Sequence, residues 1–472
     1  MRTPAKTVRR TAALAQAGAR ARRVLEGFIL EQPEALRVLQ LLGDPDAELD
    51  ERLESLVAEA RARLAHEFRA QDVEPVNVAG HRGRLRPGLI GAFIRASGDA
   101  DTDVETWLRE GAPHGILRPI EARGVFPKSS NPGRDLEELH AATFRPYDQV
   151  ANYSSVEDNR GITREELRRD VDNGFAGFYS AAEAEHKYGP LVVSELALQL
   201  KRRADGSIKR RLLNDLKRSR LNEFSSYEER VVLPRREDLF NDLVELAEVC
   251  DFDAGEDVEI LVLDFVDAYK IVPTHPDERS GLAALVPASD DEGEQPIAAT
   301  EVRRSLDEIE LMVYYCLVMG GKACALIWCR LAAWIGRSTQ SLFNEAEARL
   351  ELYMDDPALA ARGTPRQRAD LFTVAILYWL ALGIPLSWKK GGRGRYMDWI
   401  GASYRVDRTA VCLTCPAEKA RDIARQCAAQ LRQTNVPMRS VRTLAGTVLV
   451  RRRHRAGHSE LLGSAVGGHR KS

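Results

Sequence analysis

The stretch that most constrains this chain is Leu350-Glu351-Leu352-Tyr353-Met354-Asp355-Asp356-Pro357. An apolar, β-prone run ends in two adjacent carboxylates, and the proline reads as its stop. Two like charges at a strand end are unfavourable unless something cationic sits between them. A hairpin turn suits such a pair, because it ends the ladder and exposes short polar side chains. Upstream, Leu261-Val262-Leu263-Asp264-Phe265-Val266-Asp267-Ala268-Tyr269 repeats the theme of a buried strand delivering a carboxylate at its end. If the two strands lie side by side, Asp264, Asp355 and Asp356 form one acidic cluster. Such clusters hold a pair of Mg2+ ions, or Mn2+ in their place, for in-line phosphoryl transfer. A lone Asp-Asp is an ordinary solvated turn, so it is the pairing of the two strands that gives the motif weight.

Length and charge set the surroundings. A chain of 472 residues buries a large core and holds more than one domain or subdomain. Its formal net charge of -2 predicts no bulk attraction to nucleic acid, but the charge is unevenly spread. Lys201, Arg202, Arg203, Lys209, Arg210, Arg211, Lys217, Arg218 and Arg220 face only Asp205 and Asp215. From residue 416 onward, twelve Lys and Arg oppose Glu418, Asp422 and Glu460. Acid gathers instead in the run Asp290-Asp291-Glu292-Gly293-Glu294. Two basic regions flanking an acidic centre suit a phosphate polymer laid across a metal site. Seven scattered cysteines indicate a reducing, intracellular setting, cytoplasmic or nuclear. The only CxxC, Cys412 to Cys415, lacks the second pair a structural zinc needs. Residues 372–388 are apolar but cut by Gly383 and Pro385, which predicts a buried helix and no membrane partner. The first 25 residues carry seven basic and no acidic side chains, leaving a transit peptide and a basic helix or arm both open.

Patterning divides the chain into five parts. Residues 1–78 read as a helical accessory region, with Leu36, Leu39, Leu42, Leu49, Leu53 and Leu56 at helical spacing. Residues 79–135 read as a loop-rich connector with one short helix. Thr163, with Glu166 three residues on, predicts a helix N-cap. The runs 191–201 and 208–216, turned by Asp205-Gly206, predict a basic β-hairpin. A helix near 237–249 precedes the Asp264 strand. Gly320-Gly321-Lys322 opens a long amphipathic helix, and another is expected over 367–382. A helix over 417–432 and a basic disordered tail from 451 complete the chain.

At these residues the chain resembles a reverse transcriptase of the long-terminal-repeat and DIRS-like retrotransposon branch. Tyr353 to Asp356 resemble its motif C and Asp264 to Tyr269 its motif A. The resemblance runs from about residue 140 to 445. It implies an α+β fold: a right-hand polymerase palm, an antiparallel sheet backed by helices, with a fingers hairpin. Fingers and palm would span 136–405 and a thumb or connection segment 406–450. The implied activity is RNA-directed DNA polymerisation, with Asp264, Asp355 and Asp356 as metal ligands. Partners would be an RNA or DNA template with primer and deoxynucleoside triphosphates.

The resemblance also assigns supporting roles. Arg211, with Lys209 and Lys217, would grip the triphosphate, and Asp267 and Ala268 would shape the turn that contacts it. Tyr269 would be the gate against a 2′-hydroxyl, which also disfavours an RNA-directed RNA polymerase. Gly320, Gly321 and Lys322 resemble motif B, although Ala325 stands where the family has proline. Asn222 matches the family's asparagine two residues late. Lys389 resembles the motif D lysine that protonates pyrophosphate, and Trp399, Ile400 and Gly401 the primer grip. The alternative is a decayed or domesticated copy that binds nucleic acid without polymerising.

Overall fold

The computed structural model describes residues 11–202, 206–288, 305–432, 438 and 452–455. The Asp205 half of the expected turn, the acidic run 290–294, residues 1–10 and most of the basic tail lie outside them. Within them, helices and mainly antiparallel sheets mix in one α+β fold. Helices α1 (Ala12–Glu31), α2 (Glu51–Phe68), α3 (Pro87–Ser97) and α4 (Asp103–Glu110) come first. Thr11 and Asp50 start the first two, their side chains accepting from the Leu14 and Leu53 amides. Strand β1 (Lys128–Asn131), α5 (Arg160–Asp172), β2 (Ala176–Ser180), α6 (Ala181–Tyr188) and β3 (Val193–Ser194) follow. The basic hairpin is β4 (Leu196–Arg202) and β5 (Ile208–Asn214), and β6 (Tyr227–Glu229) pairs with β1. Next come α7 (Arg236–Glu248), β7 (Asp257–Val262), β8 (Ala283–Leu285), β9 (Glu310–Tyr314) and α8 (Cys324–Ser341). Strands β10 (Ala348–Tyr353) and β11 (Asp356–Gly363) form a hairpin that leads into α9 (Pro365–Ala381). The chain continues through β12 (Gly392–Gly394), β13 (Tyr396–Trp399), β14 (Ala402–Asp407), β15 (Ala410–Thr414), α10 (Ala417–Leu431) and β16 (Arg452–Arg455).

The central sheet has the order β10-β11-β7-β12 and is antiparallel throughout. A second sheet runs β2-β9-β8-β3 and a third β13-β14-β15-β16. One hydrophobic cluster extends from Leu14 and Phe28 of α1 through Trp328 and Trp334 of α8 to Phe372 and Trp379 of α9. Packing therefore crosses the compositional boundary near residue 78. It does so tightly: a Cβ on Gly18 of α1 would stand 2.1 Å from the carbonyl oxygen of Ser341 in α8. Helix α9 lies within this core, and among the described residues no helix is long and apolar enough to cross a membrane.

Four expectations are corrected. Pro357 does not stop the strand; it belongs to β11, opposite Leu352. The Leu350 amide turns outward to the Gln340 side chain at 2.8 Å, so by strand periodicity the Leu352 amide also points away from β11. The missing N–H of Pro357 therefore costs no bond to β10. Helix α5 starts at Arg160, and Thr163 is not its cap but lies inside it, its hydroxyl donating to the Asn159 carbonyl at 3.0 Å. The connector carries two helices, α3 and α4, instead of one, because Gly98 adopts φ 61° and ends the first cleanly. In the expected disordered tail, residues 452–455 pair with β15, whose outer edge offers open backbone groups.

Two buried histidines tie the connector to the rest. His81 shares a hydrogen bond with the Lys270 carbonyl at 2.8 Å, and His114 one with the Thr274 hydroxyl at 3.1 Å. Burial pushes both rings down to about 4, from an ordinary value of 6.5. The unfolded chain thus takes up protons first as pH falls, so the stability these groups contribute is complete above pH 6.5 and is lost toward pH 4. Urea unfolding at pH 7 and pH 5 should show a loss on the order of 2 kcal/mol per histidine. Replacing His114 by Gln should flatten that decline.

Candidate active site

Pairing of Tyr353 with Asp356 leaves Met354 and Asp355 as a two-residue turn. Met354 takes φ 55°, as tight hairpins require at their first turn residue, although a methionine there is strained. Its sulfur lies 3.3 Å from that of buried Cys329, so packing holds the conformation. The ladder between β7 and β11 then runs on past Val262. The Leu263 amide donates to the Pro357 carbonyl at 3.3 Å, and the Phe265 amide to the Asp355 carbonyl at 2.8 Å. Asp264 lies between those two amides, so two sequence-distant motifs meet at one sheet end.

The meeting is electrostatically costly. Asp264 is buried, and Asp355 and Asp356 are half-buried. Burial first, and the Asp264 charge second, raise the Asp355 carboxyl above its ordinary value. Asp356 is pushed up to about 7 by burial and then by the charges of Asp355 and Asp264, with which it also shares a hydrogen bond. One cation already touches the cluster: Lys390 donates from Nζ to Asp264 Oδ1 at 2.5 Å. The Lys209 charge, too, partly offsets the rise at Asp355.

Three hard carboxylates that are not fully neutralised are the donor set that Mg2+ or Mn2+ takes. The chemistry fits, but the spacing is not preset. Among the described residues, no group of three or more His, Cys, Asp or Glu side chains is arranged as a ready metal cage. Asp264 is turned toward Lys390 and Asp356 instead.

The other expected residues fall into three groups. Lys209 and Arg211 share one face of the basic hairpin, opposite Lys201 and Gln199 across the ladder. Lys217 lies beyond the hairpin, exposed in a turn built on Asp215. Around the Asp264 strand, Asp267 takes φ 55° and accepts from Arg84 at 3.3 Å, while Ala268 is buried. Tyr269 is half-buried and stacked on Trp328, with ring centroids 6.5 Å apart; burial raises its hydroxyl, and the Asp355 charge adds to the rise. At the start of α8, Gly320 takes φ 121°, and a Cβ there would stand 2.0 Å from the Asn214 carbonyl oxygen. A Cβ on Gly321 would stand 2.4 Å from the Cys324 sulfur. Asn222 staples this turn, donating to the Gly320 carbonyl at 3.0 Å and accepting from the Lys322 amide at 2.8 Å. The Lys322 ammonium goes to Asn131 at 2.7 Å.

Trp399 is buried, and its indole donates to the Asp356 carbonyl at 2.9 Å. Ile400 (φ 40°) and Gly401 (φ 73°) make the turn of that hairpin, and Arg236 donates to the Ile400 carbonyl at 3.0 Å. Lys389 is exposed, and it is the next residue, Lys390, that reaches Asp264. Sequence reasoning missed Lys390, Arg84 and Asn131. Adjacent lysines look alike in text, and only the short 3-10 turn Trp388–Lys390 decides which one faces the acids.

No family profile matches this chain, and no curated protein does. Among solved structures, it is similar to a foamy viral protease-reverse transcriptase in complex with double-stranded DNA, at 12% identity and a TM-score of 0.39. The match covers 71% of this chain and 44% of that one, so the chain spans less than half the length of its neighbour.

Crowded like charges make the cluster a liability without a bound cation. In EDTA at pH 8, Asp356→Asn should melt a few degrees higher than the native chain, on the order of 1–2 kcal/mol once solvent screening is allowed for. A lower melting temperature would show that the carboxylate is held by stabilising contacts instead.

Proposed function

We propose that this chain is a template-directed nucleic-acid polymerase, an RNA-directed DNA polymerase of reverse-transcriptase type. The observation that carries the reading is the meeting of Asp264 with the Asp355-Asp356 turn at the end of β7 and β11. Two Mg2+ ions held by Asp264 and Asp355, with Asp356 adding charge, would activate a primer 3′-hydroxyl and steady the triphosphate. The chain's own side chains supply the rest. Lys209 and Arg211 bind the triphosphate from one hairpin face, arginine being apt because its planar fork meets phosphate oxygens in pairs. Lys217 adds charge beside them, and Asp267 and Ala268 shape the turn below. Lys389 donates the proton to the departing pyrophosphate.

Tyr269, braced by Trp328, closes the space where a 2′-hydroxyl would sit. The stapled turn Gly320-Gly321-Lys322 lets backbone approach a template base closely. The 399–401 hairpin, anchored to Asp356 through Trp399, aligns the primer end. Template and primer are RNA or DNA, gripped through phosphates by the basic regions.

Primer extension on poly(rA) with oligo(dT), dTTP and Mg2+ tests the reading. The native chain should incorporate dTTP, and Asp355→Asn should lose on the order of a thousandfold in rate while still binding duplex. Folded protein that binds duplex but incorporates nothing would point to a decayed, nucleic-acid-binding copy. Substitution of Tyr269 by Ala should raise ribonucleotide incorporation relative to deoxynucleotide by at least about tenfold. An unchanged ratio would remove Tyr269 as the sugar gate.

A further inference from the structure

We infer that Lys390 is a built-in counter-cation of the carboxylate cluster, one that must leave Asp264 before a divalent ion can be held there. This rests on reading Asp264, Asp355 and Asp356 as cation ligands, and it names what sets their affinity when nucleotide is absent.

The contact is asymmetric. The Asp264 side chain is 10% exposed and that of Lys390 is 47% exposed, so the acid is fixed in the fold and the lysine is not. Backbone on both sides fixes the root of the lysine. The Ser387 amide donates to the Asp264 carbonyl at 2.9 Å, and Gly392 pairs with Val262, two residues before Asp264. Between those anchors, the 3-10 turn lifts the ε-amine over the end of β7. The four-carbon stem can then swing toward solvent without any backbone change.

Charge gives the direction of exchange. The Lys390 ammonium on Asp264 offsets only part of the repulsion, for the Asp355 and Asp356 carboxyls both stay above their ordinary value. A divalent ion brings twice the charge of an ammonium to carboxylates it can coordinate together, so it offsets more of their repulsion. The same contact explains why the three acids converge without forming a ready cage: Asp264 is already engaged. Lys390 therefore holds the metal-free cluster together and lowers its affinity for a divalent ion.

The test uses the full chain and Mn2+ alone, followed by the electron paramagnetic resonance of free Mn2+, with no nucleotide or nucleic acid. Lys390→Met should bind Mn2+ about tenfold more tightly than the native chain, and Lys390→Gln should do the same. Lys390→Arg, which keeps the charge, should stay near native affinity. In EDTA, Lys390→Met should melt lower than the native chain, because the acids lose their counter-ion; circular dichroism establishes that each variant is folded. Native or weaker Mn2+ affinity in folded Lys390→Met and Lys390→Gln overturns the counter-cation role while leaving the ligand reading intact. If the native chain binds no Mn2+ and Asp264→Asn changes nothing, the ligand reading itself falls, and this inference with it.

Discussion

The hydrogen bond from the Phe265 amide to the Asp355 carbonyl is the constraint on which the rest depends. It carries the pairing of β7 and β11 beyond the regular ladder, to the point where side chains stop being core and become acids. Up to that point the strands are held by ordinary means. Val258, Ile260, Ala358 and Ala360 are buried on one face, beneath α7 and the β13–β15 sheet. Leu261, Leu359 and Ala361 are buried on the other, against α8 and α9. Apolar burial on both faces fixes register, because a slip of one residue would turn every side chain to the wrong side. Fixed register then places Asp264 beside the Asp355-Asp356 turn. The acids are brought together by hydrophobic packing, against their own repulsion.

Strain accumulates at the same end of the sheet. Met354, Asp267 and Ile400 all take positive φ, a region that side chains with a Cβ rarely occupy. Each is held by a specific neighbour: the Cys329 sulfur, the Arg84 guanidinium and the Arg236 guanidinium. Such residues persist only where the surroundings over-determine them, and they gather where geometry matters more than stability. The rise of Asp356 to about 7 is the electrostatic counterpart of the same compromise.

Much of the arrangement was legible in the sequence because apolar strands with polar ends are a strong signal. The two acidic strands, the basic hairpin and the helix after Gly320-Gly321 all stand where patterning puts them. The misses turned on local backbone geometry as often as on contacts between distant residues. Pro357 looked like a terminator, but its amide position faces β7 and not β10, so the pairing with β10 runs through it. Thr163 had the chemistry of a cap, but its hydroxyl bonds back within the helix. Lys390 could not be told from Lys389 without the 3-10 turn. The sequence also does not show that the Trp399 ring is buried with its N–H committed to the Asp356 carbonyl.

The close approach of Gly18 to Ser341 bears on how the molecule is made. Helix α1 is synthesised well before α8 and α9, whose surface it covers. During translation, the side of α1 that faces α8, Leu14 and Gly18 included, must wait uncovered, or be held by something else, until that surface emerges. A core closed by a segment made so much earlier than its partners assembles late and all at once, so its vulnerable moment is birth and not old age.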